Sequence, residues 1–309
     1  MQVVILSKRG WHADELGRAL RERGHTARLA PYESLVARLG RAGSLGSDAA
    51  NVLDSDAVLA RFIPAGSLEQ IIFRVDALHW IEDRSVPVMD SPRAIERSVD
   101  KFYTDARLRE AGLPTPDTVV CEGIDEAMKA VRAMLDRRAS DAGEAAAIIK
   151  PIFGSMGHGI LRVIDADVAF RVLQTLDQVR TVFYVQRAID SAGRDVRAFV
   201  VGDRVLGAIE RRAQAGDWRT NVSRGGLATP CELPPAWAAM AVRAAAAIGA
   251  EYAGVDLLPS VDGAVYVLEV NGIPGWQGLQ QATGIDVAGA VVDHLIGRVR
   301  AQSAAAVTA

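Results

Sequence analysis

The sequence predicts a mixed architecture, a small α/β domain followed by two α+β lobes, on three observations. Short apolar runs alternate with helix-periodic stretches through the first ninety-odd residues, the pattern of a mostly parallel sheet. Pro114 and Pro116 then forbid a helix from continuing and open a second segment. From Val182 onward strand-like runs dominate. The expected divisions are an N-terminal α/β domain over 1–95, a central lobe over 96–185, a C-terminal lobe over 186–300 and a disordered tail of small residues over 301–309.

Each element has a local signal. Residues 3–6 read as a buried strand, Gly10 punctuates it, and 11–23 carry Leu16 and Leu20 at helical spacing until Gly24. Residues 41–51, rich in Gly, Ser, Ala and Asp, read as a loop, and 57–60 as a short strand. A helix with Leu68, Ile71, Ile72, Val75 and Leu78 on one side precedes a strand at 86–89. The next helix begins near Asp100 and runs through Lys101 and Leu108 to Gly112. Strands at 118–121, 147–150 and 160–164, with helices at 128–135 and ending near Val179, make the central lobe. Five strands follow at 182–186, 196–201, 204–210, 252–258 and 265–270, the Gly202-Asp203 pair marking a hairpin. An Ala-rich helix over 235–248 and a last helix over 286–299 complete the pattern.

Half of the residues are apolar, enough for a sizeable core. The formal charge of −3 is spread through the chain, so no basic stripe for nucleic acid is present. Cys121 and Cys231 are too few and too far apart for a disulfide framework or a cysteine zinc cluster. The apolar run at 3–6 is too short for a signal peptide, and no stretch approaches a membrane span. A cytoplasmic protein without nucleic-acid or membrane partners is expected.

The densest chemistry lies near the C-terminus. Gly254-Val-Asp256, a turn, and Leu268-Glu269-Val-Asn271 place three oxygen ligands on one predicted hairpin. With the turn centred on Val261 and Asp262, Asp256 lies opposite Val267 and shares a face with Glu269 and Asn271. Two carboxylates and an amide oxygen suit Mg²⁺. A solvated strand face is the plain alternative, and a one-residue slip would separate the three. Lys150 ends an apolar strand just before the turn Gly154-Ser155-Met156-Gly157-His158-Gly159, whose N–H groups can form an anion nest or simply a hairpin turn. Lys101, beside Asp100, is either a surface lysine or a phosphate contact. Arg197, Arg211, Arg219 and Asn221 can clamp a phosphoryl group and a carboxylate, or form salt bridges to acids such as Asp195 and Glu210. Trp276 either offers an aromatic face to a planar ring in the cleft or packs in the core.

Taken in order, Asp100-Lys101, Ile149-Lys150 with Gly154 to Gly159, Val185-Gln186, Asp195-Val-Arg197, Ile209-Glu-Arg211-Arg212, Trp218-Arg219-Thr-Asn221, Gly254-Val-Asp256 and Leu268-Glu269-Val-Asn271 resemble the ATP-grasp superfamily, specifically its RimK-type glutamate ligases. The segment Asn271-Gly-Ile-Pro-Gly-Trp276-Gln-Gly278 is similar to ligases that add glutamate to tetrahydromethanopterin-type coenzymes. The resemblance implies an ATP-grasp fold, with an N-terminal pre-ATP-grasp domain for substrate and two lobes clasping ATP. It implies Lys101 and Lys150 on nucleotide phosphates with the Gly154–Gly159 loop folded over them, and Gln186, Arg187, Ile189 and Asp190 along the adenine side. It places Mg²⁺, with Mn²⁺ as a substitute, on Asp256, Glu269 and Asn271, and Arg197, Arg211, Arg219 and Asn221 near the reacting groups. Relatives usually carry Glu after the hinge glutamine; here the residue is Arg187, with Ala188 in place of an aromatic, so Asp190 is expected to hold the ribose.

The implied reaction moves the γ-phosphoryl of ATP to a carboxylate, after which an amine displaces phosphate. L-Glutamate is the expected amine and a small pterin or furan coenzyme precursor the expected carboxylate. A protein or peptide C-terminus is the alternative acceptor. A non-catalytic ATP-binding regulator would not need the complete ligand trio, and a D-alanine-type ligase lacks the Arg219-Thr-Asn221 loop. The expected assembly is a homo-oligomer, dimer or tetramer.

Overall fold

The computed structural model describes residues 1–309 except 42, 48–49, 137–144, 155–158, 215–217, 221–226 and 309. The chain begins with β1 (Gln2–Leu6), α1 (Trp11–Glu22), β2 (Thr26–Ala30), β3 (Val36–Arg38), β4 (Ser44–Ser47), β5 (Ala50–Asn51), β6 (Ala57–Ala60), α2 (Leu68–Asp83) and β7 (Val88–Met89). Four of these strands form a parallel sheet in the order β2-β1-β6-β7, as the alternating pattern predicted. Side chains alternate between its faces. Val3, Ile5, Leu59 and Met89 enter one core with α1, while Val4, Leu6, Val58 and Val88 enter another with Ala77, Leu78 and Ile81 of α2.

Two expectations for this region fail. Residues 41–51 are not simply a loop: β3, β4 and β5 pair as a small antiparallel sheet, held in part by the Asn51 side chain, which accepts from the Leu45 and Leu53 N–H groups. Their polar composition hid strands that bury only Leu45 and neighbours. On α2, Leu78 is buried but Leu68 and Ile72 are exposed, because the buried face is centred on Arg74, Ala77, Leu78 and Ile81. Ser67 and Gln70 start this helix with a capping box.

Next come α3 (Pro92–Val99) and α4 (Lys101–Glu110), separated by Asp100, whose carboxylate caps α4 by accepting from the Tyr103 N–H at 3.0 Å. The central sheet is built from β8 (Thr118–Cys121), β9 (Ala147–Lys150), β10 (Leu161–Val163) and β11 (Phe183–Arg187), with α5 (Ile124–Leu135) and α6 (Ala166–Gln178) on one face. Its order is β10-β9-β11-β8, all antiparallel. The third sheet holds β12 (Arg194–Val201), β13 (Arg204–Arg212), β14 (Leu227–Pro230), β15 (Tyr252–Pro259) and β16 (Val265–Asn271), ordered β14-β13-β12-β15-β16. The helix α7 (Pro235–Ile248) covers it and ends at Gly249, whose φ of 79° supplies the left-handed cap.

By sequence range α4 stands at the head of the central lobe, yet Leu108 joins the core of α7 and the third sheet. The last elements are α8 (Gln277–Thr283) and α9 (Val287–Thr308). The expected disordered tail is thus helical to Thr308, since alanines continue a helix at little cost. Packing of α9 against α1 carries the C-terminus back to the N-terminal sheet.

Candidate active site

Register on the third sheet decides which side chains meet. Arg211 on β13 faces Asp195 on β12, Arg197 on β12 faces Asp256 on β15, and Asp256 faces Glu269 on β16. Opposite charges on neighbouring strands sit within contact distance, so the row forms a continuous network. Arg211 donates to both oxygens of Asp195 at 2.7 and 2.6 Å and also meets Asp256 at 2.9 Å. Arg197 donates to both oxygens of Asp256 at 2.6 and 2.7 Å. In the amide orientation that satisfies both neighbours, Asn271 donates to Glu269 at 2.9 Å and accepts from Arg197 at 3.1 Å.

The hairpin register differs from the predicted one. Asp256 pairs with Glu269 rather than with Val267, because the turn is centred on Asp262 and a bulge between Asp256 and Leu257 shifts the strands by one residue more. The shift keeps Asp256, Glu269 and Asn271 together and also turns Leu268 toward the cavity. Asp256 is almost fully buried, and burial alone would raise its carboxyl. The guanidiniums of Arg197 and Arg211 outweigh that effect and hold it well below the usual carboxylate range.

Facing this row across a cavity of about 690 Å³ is the wall formed by α4, β9 and β11. Lys150 is buried and donates to Gln186 Oε1 at 2.6 Å, while the Gln186 amide donates to Thr118 and Tyr184 at 2.9 and 3.2 Å. Burial lowers the Lys150 ammonium to about 8, with nearby Lys101 adding to the effect and Glu269 opposing it. Burial lowers Lys101 as well. Its ammonium donates to the carbonyls of Gly154 and Ile152 at 2.7 and 3.4 Å, so it grips the start of the glycine-rich turn.

Most sequence-predicted residues converge here. Lys101, Lys150, Gln186, Arg187, Ile189 and Asp190 line one side of the cavity, and Arg211, Arg219, Asp256 and Glu269 the other. Arg197 stands behind Asp256 and Asn271 beside Glu269, neither lining it directly. Ser155, Met156, Gly157, His158 and Asn221 lie outside the described residues, and Gly154 and Gly159 flank that turn. Arg187 packs over the Tyr266 ring at 5.8 Å and lies 3.2 Å from Asp117, which ties the hinge end of β11 to β16. Asp190 accepts from the Ala192 N–H at 3.1 Å at the cavity rim.

Arg211 and Arg197 do form salt bridges, to Asp195 and Asp256, and both of these acids line the cavity. Asp195 and Thr220 were not predicted as site residues, yet both line the cavity. Equal distances of Asp195 and Arg211 from Asp203 in the Gly202-Asp203 hairpin were the available signal. Trp276 is not in the cavity. It is 1% exposed, packed against Arg61 at 4.5 Å, edge-on to His12 at 4.6 Å and to Phe199 at 6.1 Å, so core packing is its role.

Asp256, Lys150 and Arg211 are buried and Lys101, Arg219 and Glu269 half-buried around one cavity, an arrangement of charges able to take a polyanion with a cation. Residues 98–295 match the family described as RimK-like ATP-grasp domain. The chain belongs to the RimK-like ATP-grasp family. It is 36% identical to the tetrahydromethanopterin:α-L-glutamate ligase of Methanosarcina acetivorans, over 78% of this chain and 80% of that one. It is 33% identical to a probable α-L-glutamate ligase of Xanthomonas campestris, over 97% of this chain and all of the relative. Its fold is similar to the ATP-grasp ligase PsnB complexed with minimal precursor, Mg and ADP, with a TM-score of 0.74 at 22% identity, covering 96% and 97% of the two chains.

This ATP-grasp protein is a ligase that forms C–N bonds with ATP and Mg²⁺. Among the described residues no three His, Cys, Asp or Glu side chains gather at one point. Asp256 and Glu269 face each other with the Asn271 amide beside Glu269, and two guanidiniums bring positive charge to Asp256. No helix of the described residues is long and apolar enough to cross a membrane.

Proposed function

We propose that this ligase joins the amine of L-glutamate to a carboxylate on a small coenzyme precursor of the pterin or furan type. The observation that carries the reading is a single cavity with lysines on one wall and Arg211, Arg219, Asp256 and Glu269 on the other. Lys101 and Lys150 hold the nucleotide phosphates. Gln186, Arg187, Ile189 and Asp190 surround the adenosine. Asp256, Glu269 and Asn271 hold Mg²⁺, and Mn²⁺ can substitute because every donor is oxygen. When bound, the metal would neutralise negative charge on the phosphates.

Chemistry then requires little beyond placement and charge. A carboxylate oxygen of the acceptor attacks the γ-phosphorus, the bond to the bridging oxygen breaks, and ADP leaves. The amine nitrogen next attacks the acylphosphate carbonyl, loses a proton, and phosphate departs. Arg211 and Arg219 face the charge that builds on the phosphoryl oxygens and the carboxylates of glutamate. Arg197 orients Asp256 from behind.

The pterin half of the reading is supported by relatives named for tetrahydromethanopterin, not by Trp276. The N-terminal domain, about residues 1–95, is proposed to carry the acceptor. The exposed apolar stripe of Leu68 and Ile72 on α2 is the proposed face for a dimer or tetramer. Incubation with ATP, Mg²⁺ and L-glutamate, with either tetrahydromethanopterin or a peptide offered as acceptor, tests the function. Addition of a glutamyl unit to the pterin with matching ADP release is expected, and modification of the peptide alone overturns the coenzyme assignment.

A further inference from the structure

The Asp195 carboxylate is 3% exposed and both of its oxygens are engaged. Arg211 donates to Oδ1 from Nε at 2.7 Å and to Oδ2 from Nη2 at 2.6 Å, and the Thr220 hydroxyl donates to the same Oδ2 at 2.6 Å. Arg211 is equally buried and makes its further contact with Asp256 at 2.9 Å. Thr220 is buried, and its neighbour Arg219 lines the cavity with Trp218. One carboxylate thus holds Arg211 directly and, through its hydroxyl, Thr220, the residue next to Arg219.

We propose that Asp195 is a positioning residue that sets the spacing of Arg211 and Arg219 across the cavity and keeps Arg211 from being captured by the metal carboxylate Asp256. The inference rests on the proposed reading of Asp256 as a metal ligand and of L-glutamate as the amine.

Electrostatics gives the reason. Arg211 lies between two buried carboxylates and is bidentate only to Asp195. A bidentate guanidinium–carboxylate pair is the stronger and more directional of the two contacts. When a divalent cation arrives at Asp256, it repels the guanidinium, which remains anchored on Asp195 and stays in the cavity. Without the Asp195 charge, Asp256 is the carboxylate left to Arg211 in this pair of contacts, and guanidinium and metal compete for it. Thr220 extends the same anchor to the backbone that carries Arg219. A dicarboxylate is read by two cations at a set separation, so the hydroxyl matters to the amine substrate and not to the nucleotide.

Three variants of the full chain test this: Asp195→Asn, Thr220→Val and Thr220→Ser. Mn²⁺ binding in the presence of ADP, followed by electron paramagnetic resonance, needs no acceptor. Asp195→Asn is expected to weaken Mn²⁺ about tenfold, as loss of a charged hydrogen-bond partner implies, with both Thr220 variants within about twofold of wild type. In steady-state assays with tetrahydromethanopterin, Thr220→Val is expected to raise KM for L-glutamate about tenfold with KM for ATP nearly unchanged, and Thr220→Ser to restore it. Unchanged Mn²⁺ affinity in Asp195→Asn, or an equal rise of both KM values in Thr220→Val, overturns the proposal. A wild-type enzyme that ignores L-glutamate defeats the substrate reading instead, and the Mn²⁺ measurement still decides the role of Asp195.

Discussion

At the scale of single residues, two charges in the cavity can be tested directly, those of Lys150 and Glu269. Lys150 titrates near 8 because burial disfavours its ammonium, and a bound polyphosphate must restore that charge. ATP binding therefore takes up protons around pH 8, and affinity is highest below that pH and falls as the free enzyme's lysine deprotonates above it. Calorimetry in buffers of different ionisation enthalpy should show the uptake, and Lys150→Ala should abolish it along with most of the ATP affinity. Glu269→Gln keeps the shape of the hairpin but removes a charge from the proposed metal site. Turnover should fall by about two orders of magnitude or more while the melting temperature stays close to that of wild type. A fully active Glu269→Gln enzyme would remove Glu269 from the metal site. The residues themselves were legible in the sequence because carboxylates, lysines and arginines are rarely placed in apolar strands without a partner. Asp195 was read only as a salt-bridge partner, because nothing in the sequence marks the Thr220 hydroxyl as its further contact.

At the scale of elements, regular strands and helices followed the sequence closely, and irregular ones did not. The Ala-rich helix predicted over 235–248 matches α7, since Pro234 and Gly249 mark its two ends. The shift between β15 and β16 was invisible, because nothing in the residue types marks where a bulge admits Leu268 beside Glu269. The strands Ser44–Ser47 and Ala50–Asn51 were missed because they are short and carry Leu45 as their one large apolar residue. Asp100 is the cap that starts α4 and so fixes the first residue of the helix, Lys101, over the glycine-rich turn. Asp100→Ala should cost about 1 kcal/mol in urea unfolding and weaken ATP through a less well fixed lysine. On α2, Ile72→Glu should leave unfolding unchanged and shift the sedimentation coefficient toward the monomer. An unaltered oligomer would clear that stripe of any assembly role.

At the scale of the whole molecule, lobes and sheets were legible but their mutual packing was not, because contacts distant in sequence leave no periodic trace. Trp276 shows the difference. Its place after the metal strand suggested the cleft, whereas Arg61 from the N-terminal domain, bonded to the Pro274 carbonyl and the Tyr252 hydroxyl, stacks over it inside the core. Trp276→Ala should therefore cost about 3–5 kcal/mol by leaving a cavity, with no change in which acceptor is used. Thermal denaturation beside an acceptor profile would separate these outcomes. The junction at Trp276 belongs to a core that gathers β1, α1, Phe199, Tyr252 and α9. A ribosome delivers the first of these long before the last. Until α9 emerges, Leu16, Leu20 and the α1 face of the first sheet lack their final cover, so a segment made early is sealed late. Chains interrupted before Val287 should expose that apolar surface, bind chaperones and aggregate.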